Sequence, residues 1–160
     1  MPAPIEFSRL QIILHWLVAL LVIVQTLLHE GIVGAWDRVE NGGEMEFSLI
    51  VISHIVIGTI VFFLILWRLL VRIRRGAPEF PSKETGPQKL LAKLVHRAFY
   101  LLLIILPISG LAAVFGGVMP AAEGHELMAK ALIILVILHV LATIYHQFVL
   151  KTNLIQRMKF

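Results

Sequence analysis

The chain has 160 residues, 59% of them hydrophobic, a mean hydropathy of +0.90 and no cysteine. This composition excludes a soluble domain, and the missing cysteines exclude disulfides, thiolate-ligated clusters and C-x-x-C-H attachment of a cofactor. A formal charge of +4 and a pI of about 9.8 would suit a nucleic-acid partner in a polar chain. In one this apolar they reflect basic loops on one side of a bilayer, and no nucleic acid is expected.

Four continuous apolar runs are each long enough to cross a membrane, at about 20 residues per crossing. They do not alternate, which excludes a barrel. The expected fold is all-α: a four-helix transmembrane bundle forming a single domain over residues 1–160, with helices at about 9–28, 47–72, 90–115 and 121–149. The opening segment is mixed in character and the first run lacks a small-residue cleavage site, so a retained first helix is expected rather than a signal peptide.

Ser8 is the expected N-cap of the first helix, which carries His15 a turn or two inside its start. His29 falls just past its end and is expected to face water. Residues 30–46 read as a loop broken by Gly31, Gly34, Gly42 and Gly43. Glu30, Asp37, Glu40, Glu44 and Glu46 oppose only Arg38 there, a formal balance of −4. Trp36 is a candidate interfacial anchor.

The second helix carries His54 two turns in, and Gly58 one turn later could admit a flat macrocycle or a close helix. Arg68, Arg72, Arg74 and Arg75 mark a basic membrane edge, and Lys83, Lys89, Lys93 and Arg97 extend it across a Pro/Gly-rich loop. That loop is expected on the cytoplasmic side. The four arginines read mostly as topology determinants, with an anionic lipid or a quinone site as the alternative contact for one or two. The third helix begins near His96, carries Pro107 as an expected kink, and offers Gly110 as a close-contact point. The basic tail, with Lys151, Arg157 and Lys159, places both termini in the cytoplasm and the acidic loop outside.

The fourth helix carries His125 and His139, fourteen residues apart. That spacing puts them on one face, ~21 Å apart along the axis. An imidazole in hydrocarbon is costly unless bound, so each is a candidate ligand; the bland alternative is an interhelical hydrogen bond. Depth pairs His15 with His139 in the inner half and His54 with His125 in the outer half. His146, seven residues beyond His139, could replace it as the partner of His15. His96 and His146 could instead form a polar headgroup site near the inner surface, or simply snorkel. Other metal chemistry fits poorly: His125-Glu126 is not completed to H-E-x-x-H, and no Glu-x-x-His pair is present.

The segments SRLQIILHWLVALLV, WRLLVRI, LLAKLVHRAFYLLLIILPISGL and GHELMAKALIILVILHVLATIYHQF resemble the bacterial cytochrome b561 family, and the likeness covers almost the whole chain. The resemblance implies a multi-pass protein of the bacterial inner membrane holding two noncovalent b haems. It implies His15, His54, His125 and His139 as axial iron ligands, in agreement with the depth pairing, and His96 and His146 as residues of the quinone region. Electron exchange with quinone, expected to be ubiquinone, follows, and some members resemble superoxide oxidases. Superoxide:ubiquinone oxidoreductase is therefore the expected activity. The acidic outer loop is a poor funnel for an anion, which keeps open an electron-transfer subunit served by a redox protein. A haem-free scaffold or a proton-relay transporter belongs to a different class, told apart by a missing haem spectrum.

Overall fold

A computed structural model describes residues 4, 6–81 and 84–159; Lys83 of the basic loop lies outside the described residues. The chain folds into helices α1 (Arg9–Leu27), α2 (His29–Glu40), α3 (Leu49–Arg75), α4 (Gly86–Gly116) and α5 (Met119–Phe148), followed by a short 3-10 turn, Gln156–Met158. All but α2 are long and apolar enough to cross a membrane. The protein is thus an all-helical four-span bundle, as its hydropathy requires.

Local chemistry sets the helix ends. Ser8 caps α1 through a capping box with Gln11, satisfying two otherwise orphaned N–H groups. Ser48 caps α3. The Thr85 amide donates to Gln88 Oε1 at 2.8 Å in front of α4. Gly117 closes α4 in the left-handed region at φ 63°, which a residue without a Cβ adopts freely. The α4–α5 connection is therefore only two residues long, and the two helices pack as an antiparallel hairpin. α4 runs unbroken across Pro107, although that ring removes the N–H that the Leu103 carbonyl would otherwise accept.

α3 runs to Arg75, and α4 begins at Gly86, one turn ahead of the expected start. The larger correction is α2. Its glycines and charges read as a loop, but the segment forms an amphipathic helix packed on α1 and α3. Gly31 explains the misreading. A Cβ there would come within 2.6 Å of Ile50 Cγ2, so the glycine serves close packing, not chain breaking. Trp36 donates from Nε1 to Glu40 on the same helix at 3.1 Å, and Arg38 pairs with Glu46 to fold the following segment back.

α3 packs between α1 and α4, and α5 packs along α4. Their shared core is Val18, Val61, Ile65, Leu103, Leu106 and Leu132. Lipid is as apolar as leucine, so these contacts hold by close packing rather than by a hydrophobic drive. Polar ties reinforce the end of the bundle where α1 begins and α3 closes. Gln11, only 5% exposed, donates to the Gly76 carbonyl at 2.9 Å. Arg68 donates to the Gln11 carbonyl at 2.9 Å, and Trp16 donates to the Met158 carbonyl at 2.8 Å.

Candidate functional site

The fourteen-residue interval of α5 recurs within α3 and α4. It separates His54 from Arg68 and His96 from Gly110, as it does His125 from His139, whereas His29, fourteen residues after His15, already opens α2. Near four helical turns, the interval returns each side chain to the same face ~21 Å further along. The bundle therefore carries two tiers. One gathers His29, His54, Gly110 and His125; the other gathers His15, Arg68, His96 and His139.

In the first tier the rings of His54 and His125 stand 6.2 Å apart between centroids, inclined by 66°. His125 Nδ1 donates to the Leu106 carbonyl at 2.9 Å and lies 3.2 Å from Ser109 Oγ. A carbonyl only accepts, so the ring proton sits on Nδ1 and Nε2 keeps its lone pair. Gly110 makes room for this ring, since a Cβ there would meet His125 Cε1 at 3.0 Å. Across the tier, the His54 carbonyl accepts from Gln25 Nε2 at 2.9 Å. His54 Nδ1 is buried without a hydrogen-bond partner among the described residues. The amide of Gln25 also occupies the space over Gly58, 3.1 Å from where a Cβ would sit; the glycine accommodates a neighbouring helix's side chain there. His29, expected to face water, is half-buried at the start of α2 and within electrostatic reach of both His54 and His125.

In the second tier His139 meets His96 edge-on at 5.8 Å and Phe99 at 5.4 Å. His15 lies within electrostatic reach of His139, His96 and Arg68, and it contacts the ring of Trp16 at 5.3 Å. His96 Nδ1 is 2.6 Å from the Ala92 carbonyl on its own helix. His146 stands apart from this group. Its Nδ1 lies 3.2 Å from Thr152 Oγ1 and 3.7 Å from Glu84 Oε1, and the Glu84 side chain is only 3% exposed. His96 and His146, considered together as a headgroup site, thus have different surroundings: the second histidine tier for one, a buried carboxylate and the tail for the other.

The first tier fits a metal that would be held between two imidazoles. A metal–imidazole bond is about 2 Å; two such bonds plus half a ring at each end come to roughly the observed separation of centroids. The donor set is two neutral nitrogens in apolar walls, the set that haem iron takes. The whole-chain comparison points the same way: the family model of prokaryotic cytochrome b561 matches residues 6–160.

The chain belongs to the prokaryotic cytochrome b561 family. It is similar to cytochrome b562 of Cereibacter sphaeroides, at 36% identity over 95% of this chain and 94% of that one. It is 32% identical to a probable superoxide oxidase CybB of Yersinia pestis, covering 96% and 95% of the two chains. Cytochrome b561 homolog 1 of Escherichia coli strain K12 is 26% identical over 96% of each. This cytochrome b561-family protein is a membrane haem protein of electron transport, carrying b haem and crossing the bacterial inner membrane several times.

Gln25, Ser109 and Glu84 are site neighbours that the sequence reading did not single out. Gln25 had a signal: an amide inside an apolar run is costly in lipid and has to find a partner. Ser109 and Glu84 had none, because their importance lies in which neighbours the fold brings to them.

Proposed function

We propose that the protein holds two noncovalent b haems, one per tier, and passes single electrons between the outer membrane face and ubiquinone. In this reading His54 and His125 ligate the outer haem and His15 and His139 the inner one. His96 and His146 belong to the quinone region, and both termini lie in the cytoplasm. The most concrete activity is superoxide:ubiquinone oxidoreductase, in keeping with the name of the Yersinia pestis relative.

The observation that carries the reading is the facing pair His54–His125, 6.2 Å apart, with the His125 ring already turned by its bond to the Leu106 carbonyl. Haem, when bound, supplies one-electron redox chemistry. The protein supplies the rest. Two imidazoles holding the iron would leave it no open position, which would favour electron transfer over oxygen binding. Leu106 and Ser109 hold the tautomer and angle of one ligand, and the apolar faces of the helices exclude water. In the overall reaction two superoxide ions each lose one electron and leave as dioxygen, while ubiquinone gains two electrons and two protons.

The deciding experiment counts haem in the purified protein and measures superoxide-dependent ubiquinone reduction. The expected result is two haems per chain with turnover. A preparation without a haem spectrum would sink the reading. Two haems without turnover would favour the second reading, an electron-transfer subunit that takes electrons from a protein donor. One feature favours that reading: all five carboxylates between Glu30 and Glu46 are exposed, a surface suited to a cationic partner.

A further inference from the structure

Arg68 and Arg72 present two guanidinium groups at the inner end of the bundle, beside a small cavity that they line with Phe7, Gln11 and Tyr100. Both arginines are half-buried, and among the described residues neither has a carboxylate within ion-pair distance. Arg68 donates from one nitrogen to the Gln11 carbonyl, which leaves most of its fork of donors free. Arg72 lies over the Tyr100 ring, 6.0 Å from its centroid. The buried Tyr100 hydroxyl stands beside the Arg68 guanidinium, so the two make one polar group.

Two cations with no carboxylate beside them among the described residues call for an oxyanion at a membrane edge, because unpaired charge there is costly. Position narrows the choice. Arg68 is the α3 member of the tier that holds His15, His96 and His139, and it is within electrostatic reach of both His15 and His139.

We propose that Arg68, Arg72 and Tyr100 form a clamp for the carboxylate side chains of the inner haem and so set its reduction potential apart from that of the outer haem. The inference rests on the two-haem reading above. A cation beside the haem disfavours the more positive oxidised iron, so removing one lowers the potential.

The test is a redox titration of the purified holoprotein in nanodiscs of neutral lipid, following the two haems separately. The haem retained by His54→Ala serves to assign the inner one. In Arg68→Gln the inner haem's one-electron equilibrium is expected to shift roughly tenfold, about 59 mV downward, with the outer haem unmoved. Arg68→Lys is expected to recover most of the shift, and Tyr100→Phe, which leaves packing intact, to show a smaller shift of the same sign. Equal potentials in all variants with both haems bound would overturn the clamp and leave the two-haem reading standing. A shift seen only when anionic lipid is present would overturn it in favour of a lipid phosphate. A wild-type protein without two haems would remove the reading beneath it.

Discussion

Gly110 and His125 show how little room one side chain has. The His125 ring lies against α4 because Gly110 has no Cβ, and it is turned by the Leu106 carbonyl and Ser109. In Gly110→Ala the new methyl would meet the ring at 3.0–3.2 Å, pushing it off that carbonyl and out of line with His54. Alanine is the better helix former by about 1 kcal/mol, so a weaker helix could not explain the outcome. The expected result is loss of the outer haem with the inner one kept, read from haem content and from the number of titrating species. Two haems with unchanged potentials would show that the ring moves freely. His54→Ala should give the same single-haem spectrum, by removing a ligand instead of displacing one.

Among the elements, α2 decides what can approach the outer tier. It places His29 near His54 and His125, while Glu30, Asp37 and Glu40 stay exposed on it. A negative surface slows the arrival of an anion and speeds that of a cation, and salt screens both effects over about 10 Å at 0.1 M. Asp37→Lys combined with Glu40→Lys should therefore raise the rate of superoxide-driven quinone reduction, up to about tenfold at low ionic strength, with the gain fading as salt is added. A rate indifferent to both charge and salt would mean that superoxide arrives by a path α2 does not border. Slower reduction by a basic protein donor in the same variant would instead favour the subunit reading.

At the scale of the whole molecule, the two tiers make sense only if they lie at different depths between opposite membrane faces. The proposed orientation puts α2 outside and the Arg68–Arg75 edge inside. A chain without cysteine lends itself to a direct test. Glu44→Cys should react with a membrane-impermeant maleimide in intact spheroplasts, and Lys89→Cys only after lysis. The reverse pattern would invert the bundle and exchange the inner and outer assignments of both histidine pairs.

Hydropathy by itself determined that this is a four-span helical membrane protein, because no other arrangement satisfies so many backbone groups in lipid. The fourteen-residue interval between His125 and His139 determined that α5 carries both histidines on one face, since helical geometry alone returns a side chain to its azimuth there. Residue order and the loop charges were enough to match His54 with His125 by depth, and the fold brings those two rings together. Only the tertiary structure decided that residues 29–40 form a helix, because Gly31 has its reason in Ile50, nineteen positions along the chain. Packing likewise separated His96 from His146, setting one against His139 and the other against Glu84. It also gathered Arg68, Arg72 and Tyr100 around one small cavity. Such groupings depend on helix rotation and on contacts between helices, which no periodicity within a single helix encodes.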